Sequence, residues 1–304
     1  MQNFIVIAVF LALGALSRRL FSLPEKAPLY INHFIISVTL PAVILLKLPQ
    51  LPLNRSVLLP MLIPWLSALP LTALVFWLAK RFGWLRDKTG AVVMLVLYGN
   101  TSYLGFPLVR ALFGDAGMPY AIIFDQLGNF TMLAITAPLI IAHFGEREKP
   151  LSAALVARRV FSFPPFLALL VALALNGATY PAWLTQVLSW LSMLLAPLAM
   201  FIVGLQISWR VPGHLQQPLV AVLGIRLLAA PLLALLLCLI SGHTGLAARV
   251  SVLEAAMPTM VTAGLMAMAA NLVPRLCTAA VGFTLCGSLL TLPLWYVLTQ
   301  WLFH

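Results

Sequence analysis

Apolar residues in this chain come in long runs, not in the spaced stripe of a surface helix or the strict alternation of a half-buried strand. Ten such runs can be marked off, at residues 4–20, 29–48, 57–79, 90–113, 117–144, 160–175, 183–209, 217–240, 248–272 and 277–301, with short polar or turn-rich joints between them. A bilayer core takes about 20 apolar residues per helix, so the pattern predicts an all-α integral membrane protein of ten spans. The first run is read as a retained helix and not a signal peptide, because Arg18 and Arg19 follow the apolar stretch instead of preceding it.

Composition sharpens this reading. Of 304 residues, 62% are hydrophobic and 8% charged, whereas a soluble domain needs about 25% charged residues to cover its surface. A water-soluble fold is excluded. The net charge of +11 reports orientation and not nucleic-acid binding, because membrane proteins collect Lys and Arg on their cytoplasmic joints. One alternate set of joints carries 13 basic residues, from Arg18 and Arg19 through Arg147 and Arg159 to Arg275, and the other set only Lys47, Arg55, Arg110 and Arg249. Both termini are therefore expected on the extracytoplasmic side. Cys238, Cys277 and Cys286 lie in apolar runs without metal-ligand spacing, so no metal framework or disulfide set is expected.

The second half echoes the first. Residues 39–42, 68–71 and 136–139 resemble residues 195–198, 229–232 and 291–294, at offsets of 156, 161 and 155 with a proline in each. Each repeat holds five spans, an odd number, so the second copy enters the membrane from the opposite side. Two inverted repeats follow, residues 1–150 and 151–304, the arrangement of many secondary transporters, whose solute site lies near the midplane where helices are broken.

The fourth run contains Tyr98-Gly99-Asn100-Thr101-Ser102-Tyr103-Leu104-Gly105-Phe106-Pro107, poor helix material within a span. The ninth contains Glu254 to Gly264, and an offset of 159 lays Pro258-Thr259 over Gly99-Asn100 and Gly264 over Gly105. Both spans are predicted to break and to cross. Two half-helix N-termini brought together would present partial positive charge and unpaired N–H groups to an anion. Asn100, Thr101, Ser102, Gly105, Pro107, Pro258 and Thr259 are the predicted site.

Asp125, Glu254 and Arg226 are the charges inside spans, where each needs a partner, an ion or a cavity. Three roles are open to Glu254: binding Na+ with Asn100 and freed carbonyls, loading and releasing a proton, or pairing with Arg226. Asp125 shares a face with Gln126 and Asn129 and serves either ion coupling or buried hydrogen bonding. Arg226 either holds a substrate carboxylate or pairs with Asp125 or Glu254. Asn32 and His33 are expected as a satisfied interior pair, the alternative being the wall of a substrate cavity.

The run from Asn100 to Pro107, read as Asn-x-x-x-x-Gly-x-Pro, together with Met257-Pro258-Thr259 and the Leu-Thr-Leu-Pro-Leu-Trp of residues 290–295, resembles the auxin efflux carrier family in its short bacterial form. The likeness extends over essentially the whole chain. It implies a scaffold of spans 1, 2, 6 and 7, which can dimerise, beside a transport core of spans 3–5 and 8–10. It also implies elevator-type movement of a small organic anion such as malonate across the bacterial inner membrane. The joint between spans 5 and 6 has only about 15 residues, unlike the long hydrophilic loop of the plant carriers. The related bile-acid symporter fold places a sodium-binding glutamate where Glu254 stands, but the Gly-x-Gln pattern that follows it there is absent. No cofactor is expected beyond a coupling Na+ or H+. Enzymatic motifs and phosphate-cradling glycine loops are missing, which leaves a sodium-coupled symporter, an anion channel or a sensor as the rival readings.

Overall fold

The computed structural model describes residues 2–20, 27–50, 57–145, 161–205 and 213–303. The joints carrying Lys26, Arg55, Arg147 to Arg159 and Arg210 lie outside the described residues. The α-helices are α1 (Gln2–Leu20), α2 (Ala27–Phe34), α3 (Leu40–Lys47), α4 (Leu58–Phe82), α5 (Arg86–Leu97), α6 (Phe106–Ile123), α7 (Thr131–Phe144), α8 (Pro164–Ala174), α9 (Ala182–Met193), α10 (Leu195–Leu205), α11 (Gln216–Gly224), α12 (Ala230–Ile240), α13 (Leu246–Ala255), α14 (Val261–Ala269) and α15 (Pro274–Leu302). Among the described residues there is no β-strand, only one isolated bridge.

Among the described residues six stretches are long and apolar enough to cross a bilayer: Tyr30–Gln50, Leu58–Phe82, Thr101–Phe144, Ala182–Leu205, Gly213–Ile240 and Pro274–Leu302. The third is 44 residues long, about twice a membrane crossing, and it turns at Gly114, whose φ of 67° and ψ of −162° leave the helical region. The sequence pattern counts ten runs because α1, α5, α8, α13 and α14 are apolar too, but most of these are short; α5 and α13 end, and α14 begins, at interruptions.

Among the described residues four π-helical turns lie at Ile35–Thr39, Thr101–Gly105, Phe124–Phe130 and Ile225–Ala229. Three of them run directly into a helix with proline at its first or second position, namely Pro41, Pro107 and Pro231. Proline has no N–H to return to the preceding turn and its ring crowds the carbonyl there. A widened turn absorbs that mismatch without ending the segment.

Large apolar side chains, among them Leu66, Leu69, Trp77, Leu232, Ile240, Leu290, Leu294 and Trp301, are exposed, while Asn100, Asp125, Asn129, Arg226 and Glu254 are buried. Apolar surface around a polar centre suits a lipid solvent. Two apolar cores flank that centre. One joins the start of α4 to α6 and α13 through Ile63, Phe106 and Leu253. The other joins the end of α4 to α5 and α14 through Val75, Leu95 and Ala263.

Elsewhere α1 packs along α10 at backbone contact, with Gly14 against the Phe201 carbonyl and Gly204 against the Leu11 carbonyl. Small residues of this kind drive helix association in lipid, where no hydrophobic force acts between helices. Gly204→Val is expected to separate the pair at a cost of about 1–3 kcal/mol, read as a fall in melting temperature of the detergent-solubilised protein. An unchanged melting temperature would show that the contact contributes nothing.

Candidate functional site

The interruption after α5 and the interruption after α13 meet. Tyr98 leaves the helix in an extended conformation, and Gly99 forms an antiparallel bridge with Thr259. The Asn100 N–H donates to the Pro258 carbonyl at 2.8 Å and the Met260 N–H to the Tyr98 carbonyl at 2.9 Å. This pair of bonds exchanges with itself when residues 98, 99 and 100 are swapped for 258, 259 and 260. The register is thus an offset of 160, one residue from the alignment of glycines and prolines in the sequence. On one side of the bridge α5 packs with α14, and on the other α6 packs with α13, as required for two broken segments running in opposite directions.

A break in mid-span frees N–H and C=O groups that water does not reach, each costing about 1–3 kcal/mol if left bare. Side chains take them up. Asn129, on the π-turn Phe124–Phe130, holds both ends of Gly99. Its Oδ1 accepts the Gly99 N–H at 3.2 Å, and its Nδ2 donates to the Gly99 carbonyl at 2.8 Å and to Thr101 Oγ1 at 2.9 Å. The Thr259 hydroxyl donates to the Leu95 carbonyl at 2.9 Å, and the Thr259 N–H donates to Thr284 Oγ1 at 3.1 Å.

Arg226 serves the helix ends. From the π-turn Ile225–Ala229 its guanidinium donates through Nε to the Met257 carbonyl at 2.7 Å, through Nη1 to the Val96 carbonyl at 3.2 Å and through Nη2 to the Ala255 carbonyl at 3.0 Å. These carbonyls close the C-terminal ends of α5 and α13, where each helix dipole places about −0.5 of a charge. Of the alternatives open to Arg226, direct pairing with Asp125 or Glu254 is not what the structure contains: among the described residues neither forms an ion pair with it. The arginine is compensated by backbone dipoles, a possibility that a list of charged side chains does not display. Gly99 is required here, because a Cβ at that position would run into the guanidinium.

Asp125 accepts hydrogen bonds from the Thr101 hydroxyl and from Gln126 Nε2, the latter at 2.6 Å, with Ser102 also in reach. A protein carboxylate therefore stands beside the first turn after the first break. Glu254 is fully buried, its two oxygens lie against Gly105, and neither oxygen has a hydrogen-bond partner. A Cβ at residue 105 would collide with that carboxylate.

Next to this network a small cavity lies between α4, Asn129, Arg226 and Ala255, with room for about one water molecule. Ser67 lines it with an unpartnered buried hydroxyl. Pro107 is not there: it lines a separate cleft with Lys47, Arg110 and Ser192, beside Asp115, which pairs with Lys47 at 2.8 Å and Arg110 at 3.3 Å. Nor do Asn32 and His33 form an interior pair. Asn32 accepts from the Tyr103 hydroxyl and His33 is exposed, because successive helical residues point about 100° apart. Ser67 and Thr284 escape sequence reading altogether, being ordinary hydroxyl residues inside apolar runs whose positions matter only once the segments are folded together.

An all-helical membrane protein with paired helix breaks and a buried polar network has the features of a membrane carrier. The chain belongs to the membrane transport protein (auxin efflux carrier) family, whose model matches residues 3–296. A protein of Methanothermobacter thermautotrophicus named "Uncharacterized transporter" is 29% identical over 300 residues, covering 97% of each chain. A Methanocaldococcus jannaschii protein, also named "Uncharacterized transporter", is 25% identical over 314 residues, with the same 97% coverage of each. A Rhizobium meliloti protein named "Putative malonate transporter" is 27% identical over 259 residues, covering 81% of this chain and 79% of its own. The family members are named as membrane transporters and not as enzymes.

Removing the clamp on Gly99 tests the site's architecture. Asn129→Ala strands the N–H and C=O of Gly99 and is expected to lower stability by about 1–3 kcal/mol, measured as melting temperature, whereas Asn129→Asp keeps an acceptor for the N–H and loses less. Equal melting of all three proteins would contradict the assigned bonds.

Proposed function

We propose that the chain is a secondary transporter of a small organic anion, a mono- or dicarboxylate of malonate-like size, built as ten spans in two inverted repeats of five. The observation that carries this reading is the self-symmetric pairing of two buried helix breaks. The crossed packing of α5 with α14 and α6 with α13 supports the inverted repeat, since parallel segments would put like halves together. The name of the Rhizobium meliloti relative supports the solute class.

The solute lies at the crossover, near Asn100, Thr101, Ser102 and Thr259, with Gly105 and Pro258 shaping the backbone. Asp125 already stands at the turn that begins with Thr101, so the N-terminal end of α14, at Val261, is the dipole left to attract the carboxylate. Arg226 adds a fixed positive centre beneath it. Glu254, with neither oxygen partnered, carries a coupling proton, and Asp125 and Asn129 hold the network through which it acts. Spans 1, 2, 6 and 7 form the scaffold against which the core moves in elevator fashion, in a prokaryotic cytoplasmic membrane with both termini outside.

Proteoliposomes preloaded with unlabelled malonate should take up labelled malonate by saturable counterflow. Asn100→Ala should weaken the apparent affinity about tenfold or more, the loss of roughly one charge-assisted hydrogen bond, and Glu254→Gln should abolish the dependence of that affinity on pH. Non-saturable flux would indicate a channel. Equal behaviour of Asn100→Ala and wild type across a panel of labelled carboxylates would overturn the site.

A further inference from the structure

Half-helix C-termini and unwound carbonyls buried in a carrier are the chemistry that coordinates Na+ in sodium-coupled transporters. Here two such ends converge. The carbonyls of Val96, Ala255 and Met257 come from both breaks and point at one place. The two dipoles supply about one unit of negative charge between them, and the unpartnered Glu254 carboxylate lies nearby against Gly105. Buried oxygens so arranged call for a cation. The chain supplies one itself: the Arg226 guanidinium takes all three carbonyls, one N–H to each.

We propose that Arg226 is a tethered cation filling the site at which a diffusible Na+ would otherwise join the two helix breaks, so that the protein needs no sodium to assemble its crossover. Three features support this assignment beyond the bonds themselves. Arg226 reaches the crossover from a different segment, the π-turn between α11 and α12 that precedes Pro231. Gly99 leaves space for the guanidinium and for nothing larger at its own Cα. No carboxylate forms a direct ion pair with the arginine among the described residues; Glu254 acts on it only through space, and the groups its N–H donors meet are the three carbonyls. The consequence for transport, that solute movement ignores sodium gradients, rests on the function proposed above. The site assignment does not.

The test is the melting temperature of the purified full-length protein in detergent, in equimolar NaCl, KCl, guanidinium chloride at low millimolar excess, and choline chloride. Wild type should melt alike in the sodium, potassium and choline salts. Arg226→Ala should melt lower by at least ~5 °C and recover part of that loss with Na+ or guanidinium but not with choline. Should Arg226→Ala fail to fold, Gly99→Ala carries the test, because its methyl displaces the guanidinium and should make melting respond to Na+. Stabilisation of wild type by Na+ over choline would overturn the proposal, as would folded Arg226→Ala or Gly99→Ala protein indifferent to every cation. Absence of malonate counterflow in all salts, with the melting results as expected, would overturn the transport reading alone.

Discussion

A backbone that stops being helical in the middle of a membrane must find partners inside the protein, because lipid offers none and water is distant. That requirement organises this molecule. The two interruptions satisfy part of it by bonding to each other, Asn100 to Pro258 and Met260 to Tyr98. The rest falls to a few side chains drawn from other segments: Asn129 on Gly99, Thr284 on Thr259, Arg226 on the ends of α5 and α13. Other buried oxygens near the centre, those of Glu254, Ser67 and Ser251 and the Gln126 Oε1, have no hydrogen-bond partner.

The electrostatic consequence is a division of labour among helix ends. The C-terminal ends at Val96 and Ala255 are neutralised by a guanidinium, and the N-terminal turn after Asn100 has Asp125 beside it. The first turn of α14 contains no acidic residue. In the proposed function, this is the dipole left for a solute carboxylate, with the Arg226 cation nearby. Arg226 in this arrangement holds backbone, its three N–H donors each meeting a carbonyl.

Much of this was legible in the sequence because membrane proteins write their constraints in composition. Gly99, Gly105, Pro107 and Pro258 stand out in apolar runs where leucine or valine would serve a plain helix better, so the breaks could be located from residue types alone. The register could not, since side-chain likeness fixes alignment only to about a residue, whereas the bridge is set by hydrogen-bond geometry. Arg226 and Glu254 are visible in the sequence as charges within spans, but the alternatives open to Arg226 there, a solute or a carboxylate partner, do not include the backbone carbonyls it meets. Carbonyl dipoles are carried by every residue and leave no mark in a sequence. The π-turns, Thr284 and Ser67 leave no mark in residue types either, and among the described residues six stretches are long and apolar enough to cross a bilayer, while the breaks at residues 98–100 and 256–260 divide the fourth and ninth runs.

Backbone hydrogen exchange in lipid nanodiscs addresses the pairing of the breaks most directly, since the Asn100 and Met260 amides lie outside any helix yet bond across the bridge. The account predicts that peptides covering residues 98–102 and 257–261 exchange as slowly as those from the buried face of α15. Exchange within seconds, at the rate of an open joint, would mean that the breaks are not held together, and the site built on them would fall with it.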